Sequence, residues 1–558
     1  MKRRLVAFLM TAAGVAVLSA GVQALGGTWL THAEAHEAVS RLVLRDWQES
    51  RAALAALGGR RAGGAEARSG QRLVDVLVGS AESTAGLELE AAEVRGLPIV
   101  ALLQRALSEE RYEGCLRMSD LLAEIGAPDF PEYRAAALVE LGRVDEARAI
   151  ELAEEPRTRV RTRLTQAFST DLSTLLVRDR NGELLGKTIP QDGSFVANEG
   201  VAAGIVPAAV LADAESLGPA RSLRLTLDLD LSRLAQKALG SYRGSMVVIN
   251  PQDGSVLAAV SDKRTARDED SAALTQLREP ASIAKLITVT AALRAGVDVE
   301  NVLSDMVCRG SLGFPQGPLY CSAINGKLRG LDRAMAVSCN VAFAYLGSMV
   351  GREAIVDEFR RYGYDIEDAN GYFGQVLQPW PTERELGELS IGLEASAITP
   401  IHAALQAATV ANGGFMHRPR LHRAADTFLG FSERLLPAED GWQVIEESWQ
   451  PMLESAMKAV VEPGGTAYRV APSDFPIALK TGTASEPKTG FHVNYIGFGP
   501  LPEARFAFAV RITHQRTSRR VRNAAYAVTK RFLRSLAGWD AVHYVDVPRP
   551  APVASSAS

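Results

Sequence analysis

The chain has 558 residues, too many for one ordinary domain, and its 47% apolar content is enough to fill two or three cores. A formal net charge of −4, with no long basic block and no basic–aromatic patch, argues against nucleic acid as a partner. The four cysteines, Cys115, Cys308, Cys321 and Cys339, follow neither C-x-x-C nor zinc spacing, and no H-E-x-x-H occurs, so the spacing points to no metal or cofactor.

At the N-terminus Lys2-Arg3-Arg4 precede an apolar run from Leu5 to Leu25, and no charge follows until Glu34. Positive residues ahead of such a run favour a cytoplasmic N-terminus with the remainder outside. Val22-Gln23-Ala24 could be a signal-peptidase site. The uncharged stretch is also long enough to span a bilayer, which favours an uncleaved transmembrane anchor within residues 1–30. Either way, the body is expected on the extracytoplasmic side of the inner membrane, where disulfides can form.

Residues 31–166 are rich in Ala, Leu, Glu and Arg and are expected to be all helical. Leu97–Leu107, Leu116–Ile125 and Tyr133–Leu152 have amphipathic helical periodicity. The stretch Tyr133–Arg148 resembles the helix–turn–helix junction of a tetratricopeptide-type repeat, although no second copy follows at that period. The region 32–165 is either a plain helical spacer or a docking surface for a protein partner. Residues 167–220 read as a short pedestal or linker. It opens on a β-hairpin, Leu175–Leu185, with an Asn181-Gly182 turn.

From 221 to 546 a larger domain is expected. Leu223–Leu227 predicts a strand, and Asp228–Leu239 a helix capped by its aspartate. Ser245–Val260 predicts a strand–turn–strand hairpin. A mostly helical middle follows, then strands over Phe475–Ala484, His492–Phe498 and Arg505–Ile512, and a closing helix over Val521–Leu536. Strands at both ends with helices between them give an α+β fold: a five-stranded antiparallel sheet with helices on both faces. The Pro/Ala/Ser-rich tail, 547–558, is expected to be disordered.

Three short patterns carry the chemistry. Ser-x-x-Lys occurs three times, at Ser282/Lys285, Ser455/Lys458 and Ser485/Lys488. Only the first opens an almost wholly apolar helix, Ile283–Leu293, and Pro280 suits the start of that helix. A lysine there must be paired or lose its proton, and a neutral lysine one turn from a serine can act as its base. Ser338-Cys339-Asn340 is the only Ser-x-Asn in the chain and lies between two helical stretches; the bland alternative is a helix cap. Lys480-Thr481-Gly482-Thr483 ends an apolar strand, where Gly482 would let a ligand backbone approach and Lys480, Thr481 and Thr483 could hold a carboxylate.

In this order and these settings the three motifs resemble the transpeptidase domain of the penicillin-binding proteins, the active-site serine acyltransferases of peptidoglycan synthesis; the motif set is a known signature of those enzymes. Ile398–Gly414 and Val461–Ala467 are similar to further segments of the family. The resemblance implies that Ser282 is the nucleophile on a D-Ala-D-Ala stem peptide and Lys285 its base, with Ser338 and Asn340 assisting. It implies that Lys480, Thr481, Gly482 and Thr483 bind substrate, that the amides of Ser282 and Thr483 form the oxyanion hole, and that β-lactams acylate Ser282. The product is a cross-link between stems, or carboxypeptidation if water is the acceptor.

Residues 30–220 show no glycosyltransferase signature, and the pedestal is short for the larger monofunctional members. Cys308 and Cys321 bracket a Gly/Pro-rich loop and are either an oxidised pair or two small apolar residues. A β-lactamase shares the first and third motifs but needs a well-placed carboxylate and water, for which no counterpart is evident between Asn340 and Lys480. A non-catalytic cell-wall scaffold would have no need of intact motifs.

Overall fold

The computed structural model describes residues 72–77, 99–128, 130–152, 159–168, 175–188, 194–206, 222–268, 271–321, 326–426, 429, 433–436, 440–486, 490–514 and 518–543. The expected anchor and tail lie outside these residues. Among the described residues no helix is long and apolar enough to cross a membrane. The chain divides into two compact units, Met1–Leu172 with Asp426–Glu433, and Ser173–Ala425 with Arg434–Ser558.

The first unit is helical: α1 (Ile99–Ser108), α2 (Tyr112–Glu124), α3 (Pro131–Glu140), α4 (Val144–Arg148) and α5 (Arg159–Phe168). In α1 the buried positions are Ile99, Leu102, Leu103, Ala106 and Leu107, the spacing of one helical face. The expected helical stretch Tyr133–Leu152 is two helices. Gly142, at φ +78°, ends α3, and the Arg143 amide donates to the Leu138 carbonyl at 2.8 Å, a glycine-type stop. Leu429 completes this core from far along the chain. It is buried, its amide donates to Glu140 at 2.6 Å, and Arg163 donates to its carbonyl at 2.8 Å.

In the second unit the hairpin β1 (Leu176–Arg178) and β2 (Leu184–Thr188) forms as expected, with Gly182 at φ +90°. It is followed by β3 (Phe195–Ala197), β4 (Ser222–Leu225) and α6 (Leu229–Leu239), where the Asp228 carboxylate accepts from the Leu231 amide at 2.9 Å. The hairpin β5 (Gly244–Ile249) and β6 (Val256–Ser261) leads into α7 (Lys285–Arg294), α8 (Leu331–Ala336), α9 (Asn340–Val350) and α10 (Pro400–Ala411). Then come β7 (His422–Asp426), β8 (Glu433–Leu435), β9 (Ala478–Glu486), β10 (Gly490–Gly499), β11 (Phe506–His514) and α11 (Ser518–His543).

The strands form two principal sheets. One has the order β9-β10-β11-β5-β6 and is antiparallel throughout. All residues of β5 and β6 are buried, so both faces of this sheet are covered. Helix α10 packs on β5, β10 and β11, while α6 and α11 pack on one another and on the sheet. The second sheet has the order β8-β7-β4-β1-β2-β3, with β4 parallel to β1. This sheet draws on more of the chain than residues 167–220: β4 belongs to it, and β7 and β8 join from some 200 residues away. Strand pairing between distant segments leaves no mark on local periodicity.

Candidate active site

Ser282 lies in a single 3-10 turn, Ala281–Ala284, and α7 proper begins at Lys285, slightly later than the apolar run suggests. The preceding Ala281 has φ +54°, a left-handed conformation that an alanine holds only when its surroundings impose it. They do so from two sides. The Ala281 amide donates to the Gly392 carbonyl at 2.7 Å. On the sheet side the Asn494 side-chain amide donates to the Glu279 and Pro280 carbonyls, both at 3.2 Å, and a His492 ring nitrogen lies 2.9 Å from the Glu279 carbonyl. Buried Arg511 in turn donates to Asn494 Oδ1 at 2.8 Å and to the carbonyls of Gln276 and Ile398 at 2.7 and 2.9 Å. Ser282 itself is half-buried.

The three motifs meet here. The fully buried Lys285 ammonium donates to Asn340 Oδ1 at 2.7 Å, to the Ser338 carbonyl at 2.8 Å and to Ser338 Oγ at 3.1 Å. Lys480, also fully buried, donates to Ser338 Oγ at 2.9 Å and to the Thr481 carbonyl at 2.7 Å. Ser338 occupies the turn between α8 and α9 with φ +54°, a second strained residue at the same place. Lys285 also stands over the Phe343 ring, 5.3 Å from its centre. Burial pushes the Lys285 ammonium down to about 7, opposed by the Cys339 and Cys321 thiols. Lys480 is pushed well below the ordinary lysine value by burial and then by the positive charge of Lys285. Two amines in a dry site, bridged by one hydroxyl, can hand a proton from one to the other.

Lys480 and Gly482 alternate along β9 with the half-buried Thr481 and Thr483. Gly482 does not leave room for a ligand, as its position at a strand end suggested. A Cβ there would sit 2.9 Å from the Pro280 carbonyl oxygen and 3.1 Å from the Ser282 amide, so the missing side chain lets β9 close against the nucleophile turn. β9 is the edge strand of its sheet, so its outer edge has no strand beside it in that sheet. The hydroxyls of Thr481 and Thr466 lie 2.8 Å apart, and the Thr466 amide donates to the Ala336 carbonyl at 3.0 Å, tying β9 to α8. The other two Ser-x-x-Lys matches fall elsewhere: Ser455, on the helix Gln450–Lys458, donates to Asp332 at 2.9 Å, and Ser485 lies in β9.

Sequence reasoning missed Asn494, Arg511, Gly392 and Thr466, which touch the motifs only through the fold. Polar residues inside apolar strands, Asn494 and Arg511, were the available signal for two of them, and Thr466 lies in the Val461–Ala467 segment already singled out. Cys308 and Cys321 do come together, and Cys339, the middle residue of Ser-x-Asn, joins them: all three Sγ atoms lie within 4.8 Å of one another.

Residues 244–537, just over half of the chain, match the family model of the penicillin binding protein transpeptidase domain. Over 317 residues the chain is 28% identical to the peptidoglycan D,D-transpeptidase PbpA of Mycolicibacterium smegmatis, covering 49% of this chain and 62% of that protein. The chain thus spans less than two thirds of the length of that curated relative. Among solved structures it resembles penicillin-binding protein 3 of Mycobacterium tuberculosis (TM-score 0.56, 18% identity, 67% of this chain and 97% of that one). It also resembles penicillin-binding protein A of the same organism in its penicillin G acyl-enzyme complex (TM-score 0.53, 22% identity, 65% of this chain and 99% of that one). These likenesses agree with the mixed α+β fold, and the extent of the family match settles the assignment: the chain belongs to the penicillin-binding protein transpeptidase domain family.

Proposed function

We propose that the protein is a peptidoglycan D,D-transpeptidase that works through a serine acyl-enzyme and is inhibited by penicillin. The observation that carries this reading is the junction of Lys285, Ser338, Asn340 and Lys480 beside the half-buried Ser282. Ser282 Oγ attacks the carbonyl between two D-alanines. Lys285, neutral above about pH 7, accepts the hydroxyl proton directly or through Ser338, and the terminal D-alanine leaves with a proton returned to its nitrogen. The amine of a neighbouring stem then takes the acyl group. The amides of Ser282 and Thr483 serve as oxyanion donors, each typically worth about 10²–10³ in rate. The stem lies along the outer edge of β9 as an added strand, its carboxylate held by Thr481 and Thr483 with Lys480 behind. Residues 5–25 anchor the chain in the inner membrane, the catalytic domain lies outside, and region 32–165 offers a surface for a protein partner.

A fluorescent penicillin tests this in the full chain. A stable label on the wild type that is absent from Ser282→Ala is expected. Label that forms and clears quickly would instead indicate a β-lactamase, and no label on a folded wild type would leave only a stem-binding scaffold. Turnover of a D-Ala-D-Ala peptide with and without an amine acceptor then separates transpeptidation from carboxypeptidation.

A further inference from the structure

The three-cysteine cluster sits directly behind the Ser-x-Asn turn. Cys339 is fully buried and Cys308 almost so, whereas Cys321 is half-buried at the end of the small hairpin that pairs Ser311–Leu312 with Leu319–Tyr320. The Cys321 and Cys339 sulfurs are 3.7 Å apart, in van der Waals contact. Cys321 Sγ also accepts the Asn340 amide at 3.3 Å, and the Asn340 side chain donates to the Tyr320 carbonyl at 3.2 Å. Asn340 is thereby held from behind by residues 320 and 321 while its Oδ1 accepts from Lys285. Whatever fixes Cys321 against Cys339 therefore fixes Asn340.

We propose that Cys321 and Cys339 form a reversible disulfide that locks the Ser338–Asn340 turn, with Cys308 as the adjacent thiol able to exchange with it. This replaces the simpler Cys308–Cys321 pairing, for which the loop between them was the only argument. The chemistry runs in two displacements with a small-molecule disulfide as oxidant. Cys321 reacts first, because it is the one of the three within reach of solvent. Its thiolate attacks the reagent, forming a mixed disulfide and releasing one thiol. Cys339 then attacks the Cys321 sulfur and releases the second thiol. The two cysteine protons end on the two released thiols, and the two electrons pass to the reagent. The pair needs only to close from contact to the bonded separation of about 2.05 Å, and since Cys339 is in the core, it is the hairpin that moves.

The test uses the full chain equilibrated with either glutathione disulfide or a phosphine reductant, alkylated under denaturing conditions and mapped by mass spectrometry. The expected oxidised map links Cys321 to Cys339 and leaves Cys115 and Cys308 alkylated. The expected reduced protein loses acylation rate severalfold, and hydrogen exchange of the Asn340 amide speeds up. Cys308→Ser keeps the redox response and Cys321→Ser removes it. A Cys308–Cys321 link, four alkylated cysteines after oxidation, a metal ion bound to the thiols in place of the disulfide, or identical exchange in both states would each overturn the proposal. The functional effect rests on serine acylation at Ser282. The map and the exchange rates do not, so a protein that failed to react with penicillin would still decide the disulfide.

Discussion

Lys285 and Lys480 donate to the same atom, the Ser338 hydroxyl oxygen, at 3.1 and 2.9 Å, and neither side chain touches solvent. Two ammonium groups cannot share a dry acceptor at little cost, so at least one of the amines is neutral near pH 7. That amine is the base the proposed reaction needs.

Acylation by penicillin should follow the neutral fraction of Lys285. Its folded value is about 7, so the second-order rate constant should fall about tenfold per pH unit below that value and level off above it. Rates measured from pH 5 to 9 check this; a flat profile would exclude Lys285 as the base.

The same shift has a consequence for stability, with the opposite residue identity preferred. Between about 7 and the ordinary lysine value of 10.5, the unfolded chain holds a proton that the folded chain does not. Lys285 therefore makes stability rise with pH across that window, and below it the folded protein carries a buried charge. Lys285→Met should flatten the slope and raise the melting temperature at pH 6 by a few degrees while abolishing acylation. Thermal melts at pH 6 and 9 with both proteins check the sign.

Gly482→Ala should leave the fold intact and slow acylation about 100-fold, because the new methyl meets backbone atoms of Pro280 and Ser282 that cannot rotate away. Near-wild-type acylation would mean that the nucleophile turn can shift without penalty.

Asn494→Ala removes the link between Arg511 and the Glu279–Pro280 carbonyls. The loss should destabilise the protein by about 1–3 kcal/mol and slow acylation as the turn before Ser282 loosens. Denaturation midpoints and acylation rates measured together distinguish this from a purely local effect.

Asp179 joins the β1–β2 hairpin to α6: its one carboxylate accepts from the amides of Asn181 and Glu183, both at 2.8 Å, and from the Leu229 amide at 3.3 Å. Asp179→Ala should cost about 1–3 kcal/mol of stability with acylation per folded molecule unchanged. A loss of acylation in the folded variant would tie the six-stranded sheet to the chemistry.

The sequence by itself determined the elements whose information is local. The apolar run after Ser282, the Asp228 cap, the Asn181-Gly182 turn and the apolar stretches of β10 and β11 each depend on neighbouring residues. Backbone periodicity makes such features legible. The motif residues were legible for the same reason, being short local patterns, although Lys480–Thr483 lies within β9 and not at its end. Only the tertiary structure decided that β7 and β8 complete the six-stranded sheet, that Leu429 belongs to the helical core, and that Arg511, Asn494 and Gly392 grip the turn that carries Ser282. It also decided that Cys339 lies against Cys321. Those relations join residues tens to hundreds of positions apart. Contacts at that range are set by how packed elements bring chain segments together, and the spacing of residues along the chain carries no trace of them.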